Sequence, residues 1–414
     1  MLVKLSGRGL RALSSAVAPT SFVGRIVERG NSTLPANAAD ILKLSSPGEL
    51  ACAPDGYRAY FIAGTETVTT STDRTNAYAL NPEFTYVSDG DVVRVDPTRG
   101  SLHVLYRRSS RFNSLLVTER CDNYCVMCSQ PPKTRDDSWI VDELIEAIPL
   151  FSPQSGEIGI TGGEPSLLGP KLIQLLASLR DHLPTTAVHI LSNGRNFGRP
   201  ELARALAEVA HPDVMIGIPI YSALPEVHDY VVQAAGAFNE TVRGIINLKE
   251  SGVRVEIRFV VHADTYKELP EFARFIARNL AFVDHIAIMG LELMGFAKAN
   301  LNALWIDPLD YQREIYEAVR ILDGSGPRIS IYNHQLCVLD RRLHRYARAA
   351  ISDWKNRYFD ECDGCALRTE CGGFFASSTV RRSRGIFPQT AAVRPRLAVK
   401  AVPAPLSARE DERL

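Results

Sequence analysis

A chain of 414 residues, 45% hydrophobic and 23% charged, is apolar enough to bury cores in two or three domains. Its 47 basic and 47 acidic side chains cancel, which excludes a net electrostatic pull toward nucleic acid or an anionic membrane. No apolar run approaches the ~18 residues of a membrane span, so neither nucleic acid nor membrane is expected as a partner and a cytoplasmic location is expected. The first 20 residues are basic and contain no acid; they read as a strand and loop rather than a transit peptide.

Residues 1–112 read as a small β-rich domain, with β-branched runs at 92–97 and 101–108 separated in the manner of a hairpin. From 113 the rhythm becomes strand, loop, helix. Strand-length apolar runs at 115–118, 158–161, 188–191, 215–220, 255–261 and 285–289 alternate with amphipathic stretches at 143–150, 172–183, 201–209, 240–249 and 268–280. Continuous apolar strands between such helices predict an α/β fold with a parallel sheet, here a partial (β/α)6 TIM-like barrel over 113–305. A further helix is expected near 310–322. Residues 306–380 form a Cys-rich C-terminal region with little periodicity. Residues 381–414, rich in Arg, Ala and Pro, read as a disordered tail.

Seven of the eight cysteines fall into two groups, which argues for metal rather than disulfides. Cys52 stands alone and is expected to be a buried thiol. Cys121, Cys125 and Cys128 follow the strand ending at Thr118, and a strand's C-terminal end is where such barrels place their chemistry. Three soft thiolates suit three irons of a [4Fe–4S] cubane and leave the fourth open, whereas structural zinc wants a fourth permanent ligand. One strand later comes Gly162-Gly163-Glu164-Pro165, where paired glycines allow close backbone approach and Glu164 offers a negative acceptor. Ser192, Asn193 and Gly194 end the third strand, and Tyr221 and Ser222 follow the fourth. Their short polar groups suit either ligand contacts or helix capping. Cys337, Cys362, Cys365 and Cys371 supply four thiolates, enough to close either a zinc site or a second cluster. The histidines at 228, 262, 285, 334 and 344 read as core or surface residues. Tyr332 and Asn333 are expected to shape the second cysteine site, and Asp340 to make a loop contact.

The Cys-x3-Cys-x2-Cys spacing resembles the signature of the radical S-adenosylmethionine (SAM) superfamily. That resemblance implies a [4Fe–4S] cluster on Cys121, Cys125 and Cys128 whose open iron is chelated by SAM, with reductive cleavage to methionine and a 5′-deoxyadenosyl radical. It also implies that the Gly162–Pro165 motif receives the SAM amino group. Met127 stands where an aromatic residue is common and is expected against the adenine. Ser192, Asn193 and Ser222 are candidate ribose or carboxylate contacts. No arginine follows the fourth strand where relatives with extra clusters carry one, so Arg258 is the candidate substitute. The second cysteine group resembles the auxiliary [4Fe–4S] extensions of peptide-modifying members.

Longer phrases narrow the resemblance: LLVTERCDNYCVMCSQPPK, IMGLELMGFAKANL, LWIDPLDY, YNHQLCVLD, ISDWKN and CGGFF. Together they resemble His-Xaa-Ser system radical SAM maturases, the HxsC branch. This implies a ribosomally made peptide or small protein with His-Xaa-Ser repeats as substrate, a sister radical SAM maturase, and a reductant such as flavodoxin or ferredoxin. The competing readings are a radical SAM enzyme acting on another protein side chain and a zinc-stabilised binding protein.

Overall fold

The structure, a computed structural model, describes residues 4–14, 20–28, 30, 37–63, 74–349 and 357–390. The phrase at 351–356 and the tail at 391–414 lie outside the described residues.

The chain forms two sheets. The first contains β1 (Ser6–Arg8), β2 (Leu10–Ala12), β3 (Phe22–Glu28), β4 (Asp40–Leu44), β5 (Ala59–Ile62), β6 (Ala77–Leu80), β7 (Val92–Asp96) and β8 (Ser101–Tyr106), with a short helix α1 (Gly48–Ala51) before β5. Its order is β1-β8-β7-β3-β4-β5-β6-β2. Only Gly9 separates β1 from β2, and these pair with β8 and β6 respectively, so the sheet closes on itself through one bent strand. Closure removes both edges. β7 and β8 make the expected antiparallel hairpin. β3 to β6 are all parallel, and β5 and β6 are buried along their whole length, as strands covered on both faces are. Cys52 is exposed beside α1 rather than buried, because only Leu50 of that short helix faces the core.

The second sheet is wholly parallel and runs in sequence order: β9 (Phe112–Thr118), β10 (Glu157–Gly162), β11 (Ala187–Leu191), β12 (Val214–Pro219), β13 (Arg254–Val261), β14 (His285–Gly290), β15 (Arg328–Tyr332) and β16 (Ala347–Arg348). The helices are α2 (Trp139–Ala147), α3 (Pro170–His182), α4 (Pro200–Glu208), α5 (Pro225–Val232), α6 (Ala237–Glu250), α7 (Leu269–Asn279), α8 (Gly295–Ala299), α9 (Leu301–Leu304) and α10 (Gln312–Leu322). Strand alternation explains the layering. On β13, Val255, Ile257, Phe259 and Val261 turn toward the helices, while Arg254, Glu256 and Arg258 take the other face. α7 answers with Leu269, Phe272, Ala273 and Ile276 at helical spacing, all fully buried. Each such Phe or Ile contributes about 1.5–3 kcal/mol through burial.

The six predicted strands are present, and the barrel-like sheet continues for two more. β15 lies inside the segment read as aperiodic. Ile329 and Ile331 place it on β14, extending the apolar layer past α10. Residues 381–390 also depart from the expected disorder: they pack against the Cys-rich region through side chains whose partners are distant in sequence.

The two sheets share a core. Val23, Val92 and Tyr106 of the first pack with Leu144, Phe151 and Ile158 of the second. Tyr106 stacks on Phe151 at 4.4 Å, and its hydroxyl meets Ser155 Oγ at 2.7 Å. Among the described residues no helix is long and apolar enough to cross a membrane.

Candidate active site

The end of β9 is fixed before the cysteines begin. Asp137, fully buried just ahead of α2, accepts from Thr118 Oγ1 at 3.0 Å, from the Glu119 amide and from Arg120 Nε at 3.2 Å. The loop from Cys121 to Cys128 then crosses the C-terminal mouth of the sheet. The amides of Tyr124 and Val126 donate to the carbonyls of Val232 and Val231 on α5, each at 3.0 Å. Phe296 N at the start of α8 donates to Cys128 O at 2.8 Å, and Asn300 Nδ2 to Val126 O at 2.8 Å. The phrase at 288–301 therefore braces the cysteine loop.

Gly162 and Gly163 lie against this loop. Gly163 N donates to Thr118 O at 2.8 Å and Glu164 N to Arg120 O at 2.7 Å. A Cβ on Gly162 would come 2.1 Å from Thr118 O, and one on Gly163 2.0 Å from Arg120 O, so only glycine permits the approach. Pro165 opens a 3-10 turn capped by Glu164.

Glu164 itself points inward. It is fully buried, and its carboxylate accepts from Ser166 N at 2.9 Å, Ser192 Oγ at 2.7 Å and Asn193 N at 2.5 Å. Burial pushes its pKa up while these donors pull it down. The acceptor expected to face a ligand ammonium is thus spent on joining the ends of β10 and β11. Asn193 extends the link: its Nδ2 donates to Asp122 Oδ1 at 2.6 Å. Arg195 completes it, donating to Asp122 O and Asn123 Oδ1 at 2.8 Å each and to Glu240 on α6 at 2.6 Å. Ser192 and Asn193 are therefore beside the cysteine loop, engaged in holding it.

Met127 is buried with Tyr221, Val231, Val232, Ala297 and Leu304. Ser222 is fully buried, accepts from Leu224 N at 3.0 Å and donates to Glu268 at 3.2 Å, a turn ahead of α5, whose N-cap residue is Leu224. Arg258 donates to Glu256 Oε1 at 2.8 Å and contacts Met289 Sδ at 3.1 Å. Its guanidinium belongs to a polar group on the face of the sheet turned away from the helices. There His285 bridges Glu256 at 2.6 Å and Ser330 at 2.9 Å, and His189 stands 3.5 Å from Glu256. Burial alone would raise the Glu256 carboxyl, but Arg258 and the two histidines bring it to about 2. Arg258, the candidate substitute for the missing arginine, is thus paired with Glu256 in this structure.

Sequence reasoning missed Asp137 and Arg195. The signal for Arg195 lay in its place directly after the strand-end Ser-Asn-Gly. Asp137 carried no local signal, because its partners are 17 to 19 residues away.

The donor set at the mouth fits a cluster. Burial raises the Cys121 and Cys125 thiols to about 12 and raises Cys128 in the same direction, with neighbouring thiolates adding to the effect at Cys121 and Cys125. A cubane gives each thiolate its own iron.

Residues 115–276 match the family model of the radical SAM superfamily. The chain carries a radical SAM domain. The Fe-coproporphyrin III synthase of Methanosarcina barkeri is 28% identical to it over 163 residues, 37% of this chain and 38% of that protein. Molybdenum cofactor biosynthesis protein 1 of Bos taurus is 27% identical over 154 residues, 36% of this chain and 23% of that protein. The chain thus matches well under half the length of these curated relatives. Streptococcus suis SuiB bound to S-adenosylmethionine is a solved structure similar to it at 12% identity and a TM-score of 0.46, covering 70% of this chain and 77% of that one.

Beyond the radical SAM domain, the second cysteine group surrounds a small cavity lined by Cys337, Cys362, Cys365 and Cys371 together with Leu336 and Tyr358. Four sulfurs from two separated segments meet here, a set that fits a fully ligated cluster. Amides point at them: Leu336 N and Gly373 N at Cys371, both 3.5 Å. Gln335 and Leu336 line this cavity; Tyr332 belongs to β15, and Asn333 donates to Gly290 O. Asp340 caps the turn after it, accepting from Arg342 N at 2.9 Å. His228, His262 and His334 are buried, and His344 meets Leu339 O, as the core-or-surface reading expected.

Proposed function

We propose that this protein is a radical SAM enzyme that cleaves S-adenosylmethionine reductively and modifies a ribosomally made peptide or small protein bearing His-Xaa-Ser repeats. The observation that carries the reaction class is the cysteine loop. Three thiols leave the end of β9 and are pinned by Gly163, Asn193 and Arg195, with no fourth thiol in the loop. Cys121, Cys125 and Cys128 would hold a [4Fe–4S] cluster, which would supply the electron for reductive cleavage of SAM.

The protein's own residues do the holding. Cys121, Cys125 and Cys128 ligate, and Gly162 and Gly163 let the end of β10 pack directly on the backbone of Thr118 and Arg120 that leads into the cysteine loop. Glu164 fixes the relative height of the β10 and β11 ends, and Met127 and Tyr221 pack an apolar floor beneath the loop. Ser192, Asn193, Ser222 and Arg258 act as positioning residues in this reading. Cys337, Cys362, Cys365 and Cys371 hold a second [4Fe–4S] cluster.

The peptide substrate rests on the long phrases shared with His-Xaa-Ser maturases, two of which form working parts: 288–301 braces the cysteine loop, and 332–340 carries Cys337. A sister maturase and a flavodoxin or ferredoxin complete the expected set of partners. Anaerobic incubation with dithionite and SAM tests the reaction class: 5′-deoxyadenosine and methionine are expected from the wild type and not from Cys125→Ala. Co-production with a His-Xaa-Ser repeat polypeptide tests the substrate. A mass change that requires Cys125 supports it, and an unmodified repeat alongside active SAM cleavage overturns it.

A further inference from the structure

The phrase LWIDPLDY, at 304–311, reaches the cysteine loop through Leu304, and its two aspartates are tied to the residues read from sequence as a disordered tail. Asp307 caps its own turn by accepting from Leu309 N at 3.0 Å. Its two oxygens also accept from Ser383 Oγ at 2.5 Å and from Arg384 N at 2.9 Å. The Arg384 guanidinium reaches Asp307 at 3.2 Å and donates to both oxygens of Asp310. Gly385 then passes so close to Leu309 that a Cβ would sit 2.7 Å from Leu309 Cδ1. Upstream, Arg382 donates to Glu361 Oε1 at 2.8 Å, with its guanidinium 4.4 Å from the Phe359 ring centre.

From this latch the chain runs over the second cysteine cavity. Ile386, Phe387 and Gln389 line it. Gln389 N donates to Cys365 Sγ at 3.3 Å, and Gln389 O accepts from Ala366 N at 2.9 Å. Phe387 lies between these contacts and lines the cavity with Cys337. One of the four sulfurs, that of Cys365, thus receives an amide donor from this strap.

We propose that residues 382–389 are a wall of the second metal site, latched by Asp307 and Asp310, which holds the Cys365 sulfur in place and bars oxygen and chelators from the cluster. This rests on the reading that Cys337, Cys362, Cys365 and Cys371 carry a cluster. The wall works by two means. Half-buried Ile386 covers the cavity mouth, with Phe387 beside it and partly in solvent, and the N–H···S bond to Cys365 orients that ligand as outer partners of a metal centre do. Arg384 is the exposed part of the latch, its side chain 60% accessible, so substituting it leaves the core untouched, whereas Ser383 is buried beneath it.

The test uses the full chain with Cys121→Ala/Cys125→Ala/Cys128→Ala, so that all bound iron reports on the second site. This background is expected to hold about four irons after anaerobic reconstitution. Iron release is then timed in air and with a ferrous chelator. Adding Ser383→Ala/Arg384→Ala is expected to speed release about tenfold, the scale at which lost outer-shell partners act. Arg384→Lys, which keeps a cation on the two aspartates, is expected to stay within about twofold of the background. Equal release rates for the background and the double substitution, starting from equal iron, overturn the wall. A background that binds no iron overturns the cluster reading itself, and is seen before any strap variant is made.

Discussion

At the residue scale, the site rests on contacts too close for any side chain but hydrogen. Gly163 is the tightest, and Gly163→Ala forces either β10 or the cysteine loop to move. The expected result is loss of about half the bound iron, with the second cysteine group still loaded, checked by iron and sulfide analysis. Full iron with unchanged SAM binding would contradict the close approach. The glycine pair was legible in sequence because its chemistry is backbone chemistry. Glu164 was half legible: its place was clear, but not its direction, since nothing local tells whether a strand-end carboxylate faces a ligand or its neighbours. The partner of Arg258 has a simpler sequence trace. Glu256, two residues before it, lies on the same face of a strand, and a carboxylate at that spacing takes the guanidinium.

At the element scale, the parallel strands were legible because each is a continuous apolar run bounded by turns. β15 was not, since five residues after a Gly-Ser-Gly-Pro stretch give too short a pattern; its pairing with β14 supplies what local sequence lacks. α5 was missed likewise, though it carries the two carbonyls that seat the cysteine loop. The parallel pairing of β3 to β6 joins strands across long connections and has no local trace. The loop's other support is Arg195, which ties Asp122 and Asn123 to α6 through Glu240. Arg195→Met keeps the apolar stem and removes every donor. The first cluster is then expected to release iron to a chelator about tenfold faster, with the second unaffected. Unchanged release would mean that α5 and α8 hold the loop unaided.

At the scale of the whole molecule, buried histidines make the fold sensitive to acid. Burial lowers His103, His189, His228, His262 and His334 to about 4. Both His262 ring nitrogens are buried without a hydrogen-bond partner. Between pH ~6.5 and ~4 the unfolded chain takes up protons that the folded chain refuses, so stability falls as pH falls. Each group costs on the order of 1.4 kcal/mol per pH unit within that window. Glu256 adds to the loss at lower pH, because its carboxyl is held at about 2 and its contribution disappears between ~4.5 and ~2. The melting temperature of the metal-free protein should therefore be flat above pH 7 and drop steeply toward pH 5; a flat profile across that range would refute the assignment of neutral buried imidazoles. One measurement bears most directly on the whole account: iron and sulfide content after anaerobic purification, for the wild type and for Cys121→Ala/Cys125→Ala/Cys128→Ala. About eight irons falling to about four, with 5′-deoxyadenosine formation abolished, is the predicted result. Zinc in place of iron in the wild type, even after reconstitution, would contradict it.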